Sequence, residues 1–310
     1  MGVKAGDVVI CQSLTFTASA NPILYLGATP VFIDSEPETW NLCPIALETA
    51  IADTISKGQI PKAIITVHLY GVPYKIDEIR TVANKYNIPI LEDSAEALGS
   101  SYKNQKCGTF GDISVLSFNG NKIITTSGGG AIVTSNHKLK KKVQFLASQS
   151  KDEAPHYQHS ELGYNYQMSN ICAGIGRGQM KVLDKHIAAR RAMHEFYVSL
   201  FENISGITVY STTNPDYFSN YWLTSILVNP DETKNGIDRE TIRLTLLDSN
   251  IECRPLWKPM HLQPLYKNYP FYGNKIAETL FEKGLSLPSG SNLTDSDRDR
   301  ISSVLLKLLG

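Results

Sequence analysis

The sequence lacks the features that mark secreted, membrane-embedded or zinc-binding proteins. It has five cysteines in 310 residues, and they are scattered without a CxxC pair, which argues against a disulfide framework or a metal site. No run approaches the roughly 18 consecutive apolar residues that a membrane span needs. The N-terminus also lacks the charged-then-apolar pattern of a signal peptide. We therefore expect a cytoplasmic protein without a membrane span or a bound metal.

An excess of charge of one sign is also absent. Thirty Lys and Arg residues balance thirty Asp and Glu residues, so the formal net charge is zero. A neutral chain offers no global attraction for the phosphates of nucleic acid or for an anionic membrane surface. The basic run at residues 138–142 is typical of a solvated helix face. We therefore expect neither nucleic acid nor a membrane as the partner.

The first half of the chain alternates strand-like and helix-like segments. Residues 63–67, 88–91 and 113–118 are short runs rich in apolar and β-branched residues. Apolar side chains at positions 76, 79, 82, 83 and 86 recur at the three- and four-residue spacing of an amphipathic helix. Apolar strands separated by helices indicate a mostly parallel sheet covered on both faces. The predicted fold class is α/β.

The pattern changes near residue 185. Residues 207–210 and 222–228 read as strands, and residues 239–247 read as a helix. A final helix is predicted to begin after Thr294, a suitable N-cap residue that acidic residues follow. We therefore predict a large domain over residues 1–185 and a smaller α+β domain over residues 186–310.

Polar residues follow three of the predicted strands. Asp93 comes after the strand at 88–91 and His68 after the strand at 63–67. Ser117 lies in a strand that leads to Lys122. Ligand sites of parallel α/β sheets lie beyond the carboxyl ends of the strands. Each residue alone has an ordinary explanation, because an Asp after a strand is commonly a helix cap and a loop Lys is commonly exposed.

Together these residue types form the set that pyridoxal 5'-phosphate (PLP) requires. The aldehyde of the cofactor needs a primary amine, which Lys122 supplies. The protonated pyridine nitrogen needs a carboxylate, and Asp93 is placed to provide it. The phosphate favours hydroxyl and backbone donors such as Ser117. Phe16 provides an aromatic ring to cover the pyridine face.

The sequence resembles the DegT/DnrJ/StrS-type sugar aminotransferases along nearly its whole length. Six ordered segments carry the resemblance: residues 13–18 (SLTFTA), 92–99 (EDSAEALG), 108–112 (GTFGD), 117–122 (SFNGNK), 163–169 (GYNYQMS) and 254–261 (RPLWKPMH). The segments 117–122 and 125–130 most resemble those of enzymes that aminate UDP-4-keto-6-deoxy-N-acetylglucosamine. The resemblance implies a fold-type I PLP enzyme with a mostly parallel large domain, working as a homodimer.

The resemblance also implies roles for individual residues. Lys122 matches the lysine that holds the cofactor and moves protons, and Asp93 matches the partner of the pyridine nitrogen. The other implied cofactor contacts are Phe16 at the ring face, Glu96 near the 3-hydroxyl, Ser117 at the phosphate and Asn165 at the phosphate of the neighbouring subunit's cofactor. Arg254 and His261 are implied contacts for the nucleotide sugar, although a structural or surface role is an equal alternative for both.

The implied reaction moves an amino group from glutamate to a nucleotide-linked 4-keto-6-deoxy sugar. A related branch of sugar dehydratases has His in place of the lysine, so Lys122 argues against dehydration. A second alternative is a non-catalytic remnant or interaction protein that keeps the fold. The choice among UDP, dTDP and GDP sugars stays open.

The sequence departs from the family pattern in three places. Family members carry a further segment before the part that matches residue 2, including a turn that binds the PLP phosphate, so we expect this chain alone to bind PLP weakly. Gln167 stands where Arg is common, which removes a forked positive charge. Glu96 stands where Gln or His is usual, and a carboxylate there alters the local proton balance.

Overall fold

The computed structural model describes residues 1–310. Its strands are β1 (Val8–Gln12), β2 (Thr29–Ile33), β3 (Ala63–Val67), β4 (Ile90–Asp93), β5 (Ser101–Tyr102), β6 (Gln105–Lys106), β7 (Ile113–Ser117), β8 (Gly130–Val133), β9 (Ile207–Val209), β10 (Tyr217–Phe218), β11 (Thr224–Val228), β12 (Arg254–Pro255), β13 (Phe271–Tyr272) and β14 (Gly284–Leu287). Its α-helices are α1 (Asn21–Tyr25), α2 (Pro44–Ser56), α3 (Ile76–Tyr86), α4 (His137–Ala147), α5 (Asn170–Met180), α6 (Leu183–Phe201), α7 (Arg239–Asp248), α8 (Ile276–Lys283) and α9 (Asp295–Leu309).

The main sheet has seven strands in the order β13-β2-β1-β3-β4-β7-β8. Neighbouring strands pair in parallel except β7 and β8, which are antiparallel. Every residue of β1 and β3 is buried, as expected for parallel strands that are covered on both faces. The predicted α/β fold with a mostly parallel sheet is confirmed.

Helices α2 and α3 cover one face of this sheet. Ile79 of α3 and Leu47 of α2 belong to one buried cluster with Ile64 and Ile90 from the strands. Helix α3 has acidic residues in its first turn, which interact favourably with the helix dipole, and its C-cap residue Asn87 is in the left-handed conformation. The helix predicted from the spacing of apolar residues 76–86 is confirmed.

A second, antiparallel sheet lies in the C-terminal half, in the order β12-β14-β11-β9. It shares a core with α6, α7 and α9, in which Tyr197, Ile226, Leu246 and Leu305 are fully or almost fully buried. Helix α9 begins with a capping box in which the side chain of Thr294 bonds the third residue of the helix. The predicted helix start at Thr294 is confirmed.

The two halves of the chain are joined by more than one connection. Helix α6 runs through the predicted boundary at residue 185, and β13 and β10 of the C-terminal half pair with β2 and β5. Buried Asp34 accepts hydrogen bonds from the backbone N–H groups of Asn274, Ile276 and Ala277, at the start of α8. The division at residue 185 stays a prediction. No helix is both long and apolar enough to cross a membrane.

Candidate active site

A cavity of about 1050 Å³ lies beyond the carboxyl ends of β3, β4 and β7. Val67, Leu91 and Val115 from these strands contribute apolar wall, and residues near β12 and β14 close the opposite side. This position is the usual ligand site of a parallel α/β sheet. The predicted site residues that line the cavity are Phe16, Asp93, Glu96, Ser117, Lys122 and Arg254.

Lys122 projects into the cavity from the loop after β7. Its backbone is held in place because Ile123 and Ile124 are buried and because the indole N–H of Trp222 donates to the carbonyl of Asn121 at 2.9 Å. The Nζ atom lies 4.3 Å from the centre of the Trp222 ring and 3.7 Å from Oε1 of Glu96. The amine is therefore positioned on both sides, by a π face and by a carboxylate.

Asp93 is the last residue of β4 and presents its carboxylate to the cavity. Oδ2 accepts a hydrogen bond from Ser19 Oγ at 2.6 Å, and Oδ1 accepts one from the N–H of Ala95 at 3.1 Å. Ser19 is in turn bonded to Thr15 Oγ1 at 2.8 Å. These two donors fix the orientation of the carboxylate, so Asp93 is suited to face a protonated ring nitrogen.

Ser117 ends β7 and lines the same cavity. Its Oγ accepts a weak hydrogen bond from the N–H of Asn119 at 3.4 Å. Asn119, Asn121 and the backbone of Gly129 lie around the same wall. Hydroxyl, amide and backbone N–H donors are the groups that bind a phosphate.

Aromatic side chains surround the cavity mouth. Phe16 is 56% exposed, so its ring is free to pack against a bound molecule. Trp257 is 5.5 Å from Phe16 and 5.2 Å from Tyr70, centre to centre. Sequence analysis did not single out Trp222 or Trp257. The signal available for Trp257 was its place within the segment RPLWKPMH.

Glu96 is an acid of the cavity whose pKa is raised. Its side chain is 4% exposed, and its Oε2 accepts a hydrogen bond from the N–H of Tyr70 at 2.6 Å. Burial raises the pKa of Glu96 to about 7, against the opposing effects of the Lys122 charge and the Tyr70 N–H, while Asp93 adds to the rise. Glu96 therefore changes its charge near neutral pH, beside the Lys122 amine.

His68 is placed away from the cavity, in the interior. Its Nε2 is 2.6 Å from Oε1 of Glu92, and both side chains are fully buried. Burial lowers the pKa of His68, but Cys107 and Glu92 outweigh this effect and raise it above its ordinary value. Since neither His68 nor Glu92 lines the cavity, this pair is part of the framework beneath it.

The remaining three predicted contacts have different positions. Arg254 lies at the cavity rim, where its guanidinium is 2.5 Å from Glu252 in an exposed ion pair. His261 does not line the cavity, because its Nδ1 is 2.7 Å from Ser13 Oγ and its ring stacks on Phe271 at 3.7 Å. Burial lowers the pKa of His261.

Asn165 also lies outside this chain's own cavity. It is exposed and bridges to Ser148 at the base of a hairpin. Its contact with the cofactor of a second subunit stays a prediction.

The residues of the cavity fit PLP. One largely buried primary amine, one carboxylate held by two donors and one hydroxyl at a strand end surround a single space, with an exposed aromatic ring at its mouth. The amine suits the aldehyde of the cofactor, and the carboxylate suits its pyridine nitrogen. The hydroxyl suits the phosphate, and the aromatic ring suits the face of the pyridine ring.

Comparison with known proteins agrees with this geometry, and together they define a PLP-dependent sugar aminotransferase of fold type I. The model of the DegT/DnrJ/EryC1/StrS aminotransferase family matches residues 1–306. The chain belongs to this family.

Individual relatives point the same way. The chain is 47% identical, over 99% of its own length and 78% of the relative's, to EpsN of Bacillus subtilis (strain 168), whose name describes a pyridoxal phosphate-dependent aminotransferase. It is 39% identical to a GDP-perosamine synthase of Escherichia coli O157:H7, over 95% of this chain and 77% of that protein. A DegT DnrJ EryC1 StrS aminotransferase structure from Brucella abortus superposes with a TM-score of 0.90 at 30% identity, covering 100% of this chain and 81% of that one.

Proposed function

We propose that this chain transfers an amino group from glutamate to the keto carbon of a nucleotide-linked 4-keto-6-deoxy sugar, with Lys122 as the catalytic residue. One observation carries the proposal: Lys122, Asp93 and Ser117 line a single cavity at the carboxyl ends of the strands. Had the three side chains pointed into different parts of the molecule, no common ligand would join them.

Each residue has a defined task in this proposal. When bound, PLP supplies an aldehyde that accepts an amine and a ring that withdraws electrons from the reacting carbon. Lys122 Nζ would hold the aldehyde of the cofactor, and its amine would be the group that carries protons in the site. The carboxylate of Asp93 would face the ring nitrogen. Ser117 would donate to the phosphate, and Phe16 would cover one face of the ring.

The proposed substrate class is supported by the relatives and by the cavity. The relatives include GDP-perosamine synthases, and the structural neighbours include an aminotransferase involved in the biosynthesis of pseudoaminic acid. A cavity of about 1050 Å³ is at the large end of the range for small-molecule sites, which leaves space for a sugar beside the cofactor. The proposed role of Arg254, at the rim, is to bind a phosphate of the nucleotide. His261 has no comparable position, so its proposed role is to anchor Ser13 beneath the site.

We further propose that the enzyme is a homodimer in which Asn165 reaches the partner's cofactor phosphate. Large apolar side chains are exposed on and after the hairpin that carries Asn165: Tyr157, Leu162, Tyr166 and Ile171. A concentration of large exposed apolar side chains in one segment favours an interface there. Light scattering is expected to give the mass of two chains, and a monomer at all concentrations would contradict the proposal.

The experiment that tests the catalytic assignment is reduction with borohydride in the presence of PLP. The wild-type protein is expected to form a covalent adduct on the peptide that contains Lys122. Lys122→Ala is expected to form none there and to lose amination activity by about a thousandfold. Lys103→Ala, which removes a surface lysine paired with Asp77, is the matched control and should behave as the wild type.

The substrate is tested with a panel of UDP-, dTDP- and GDP-linked 4-keto-6-deoxy sugars, using glutamate as donor. Formation of an amino sugar together with 2-oxoglutarate is the expected result for at least one of them. Turnover of keto sugars only with a donor other than glutamate would overturn the donor assignment and leave Lys122 in place.

A further inference from the structure

Glu96 has only two partners, although it is almost completely buried. Its Oε2 accepts a hydrogen bond from the N–H of Tyr70 at 2.6 Å. Its Oε1 lies 3.7 Å from Nζ of Lys122, which is within ion-pair distance but beyond a hydrogen bond. Burial with so few donors disfavours the charged form of the carboxylate. The neutral acid is therefore favoured whenever the amine of Lys122 loses its proton.

The position of Glu96 is fixed by strained backbone. Tyr70 is buried and has a left-handed conformation, with φ 54° and ψ 20°, which is unfavourable for a bulky side chain. Its hydroxyl accepts a hydrogen bond from the N–H of Trp257 at 3.1 Å, so the residue is held from both ends. This conformation directs the Tyr70 N–H at Oε2 and leaves Oε1 for Lys122.

The groups that face Glu96 have opposing effects on its pKa. Burial and the charge of Asp93 favour the neutral acid, whereas the Lys122 charge and the Tyr70 N–H favour the carboxylate. Lys122 is the cation among them. When its amine becomes uncharged, the main support for a charged Glu96 disappears, and the buried pair stays neutral if the acid is protonated.

We propose that Glu96 is a positioning residue that shares a proton with Lys122. Its carboxyl takes up one proton when Nζ loses one and becomes the free base, and it gives one up when the ammonium forms again. Because Oε1 and Nζ lie 3.7 Å apart, the two groups exchange these protons with water and not along a direct hydrogen bond. One N–H bond breaks as one O–H bond forms, so the pair changes neither its total charge nor its number of protons. This role goes beyond a contact with the cofactor's 3-hydroxyl and rests on the proposed function of Lys122.

Glu96→Gln separates this role from a structural one. Gln has the same length and can still accept the hydrogen bond from the Tyr70 N–H, but it has no carboxylate to take up a proton. If Glu96 only packs the wall, the substitution leaves the chemistry of Lys122 unchanged. If the pair shares a proton, the reactivity of the Lys122 amine depends on pH differently in Glu96→Gln and in the wild type.

The test is brief acetylation of the cofactor-free protein with acetic anhydride across a pH series, with Lys122 modification quantified by peptide mass spectrometry. Above about pH 7, where Glu96 is charged, Lys122 of Glu96→Gln is expected to react about fivefold faster, because no carboxylate stabilises its ammonium. The two rates should converge at acid pH, where wild-type Glu96 is neutral like Gln.

Lys75 is the internal control, since its Nζ lies 3.3 Å from Oε2 of buried Glu36, outside the cavity. Its acetylation should be the same in both proteins. Equal Lys122 rates at every pH would overturn the proposal. Because no cofactor is present in this test, that result would say nothing against Lys122 as the residue that binds PLP. A failed borohydride test, in turn, would say nothing against the coupling of Glu96 to Lys122.

The reciprocal variant keeps the proposal testable if Glu96→Gln does not fold. Lys122→Met removes the ammonium, so the protonation midpoint of Glu96 should rise above its value of about 7. The carboxyl stretching band in infrared difference spectra reports this midpoint directly. A midpoint that stays unchanged would also overturn the proposal.

Discussion

Two buried glutamates four residues apart, Glu92 and Glu96, have opposite environments. Glu92 accepts hydrogen bonds from six groups: the backbone N–H of Gly108, Phe110 and Gly111, the hydroxyls of Ser94 and Ser114, and Nε2 of His68. Glu96 has one hydrogen bond and one distant ion pair. Burial raises the pKa of Glu92, but His68 and the backbone donors outweigh it and hold that pKa below its ordinary value.

The comparison teaches that burial alone does not mark a functional carboxylate. Glu92 faces the segment before β7 and fixes that segment beneath the site, which is a structural task. Glu96 faces the cavity, has few donors and has a pKa near 7. Buried polar groups that are fully bonded stabilise a fold, and those left partly bonded beside a reactive amine are candidates for chemistry.

The largest effect that sharpens this comparison is on stability. Glu92→Gln is expected to lower the free energy of unfolding by about 4 kcal/mol, because it removes the negative charge that faces His68 and replaces one acceptor oxygen by an amide NH2 among donors. Glu96→Gln is expected to change the same quantity by less than about 1 kcal/mol. Urea denaturation at neutral pH measures both. Equal losses in the two variants would remove the distinction between the glutamates.

The second effect is the pH dependence of stability. The pKa of Glu96 is raised from 4.5 to about 7 on folding, so the folded state binds this proton more tightly than the unfolded state. The contribution of Glu96 to stability is therefore complete below pH 4.5 and is lost as the pH rises through about 7. The linkage amounts to about 3 kcal/mol.

The measurement is the difference in unfolding free energy between the wild type and Glu96→Gln at several pH values. The wild type should lose stability relative to the variant as the pH rises from 4.5 to about 7. Glu92 has the opposite sign, because a lowered pKa gives stability that is lost only as the solution becomes strongly acid. A flat difference for Glu96 would mean that its carboxyl is not perturbed.

Much of the fold could be predicted because its signals are local. Helix α3 follows from apolar spacing, and α9 follows from Thr294 and the acids after it. By contrast, β13 has two residues, and its partner β2 lies more than 200 positions earlier in the chain. Two residues are too few to show the alternation of apolar and polar side chains that marks a strand. The position of β13 depends on tertiary contacts such as those of Asp34 with the start of α8.

The residues of the site also divide into those that local sequence predicts and those that depend on tertiary packing. Asp93, Ser117 and Lys122 were predictable, because each follows or ends an apolar strand and has a residue type that the cofactor requires. Trp222, against the Lys122 amine, lies 4.3 Å from it in space but in a different half of the sequence. The bonding of Ser19 to Asp93 and the seclusion of His261 likewise depend on packing between distant segments, which one sequence does not display.

The smallest effect concerns Glu252, an exposed carboxylate that differs from both buried glutamates. Its ion pair with Arg254 lies at the rim, with the side chains 70% and 78% exposed, so water screens the pair and it contributes little to stability. Glu252→Gln should therefore change the free energy of unfolding by less than about 0.5 kcal/mol. Because the substitution frees the guanidinium for a nucleotide phosphate, the KM for the sugar should fall about twofold with kcat unchanged. Arg254→Gln should raise the KM instead, and a KM that neither substitution alters would place the nucleotide away from this part of the rim.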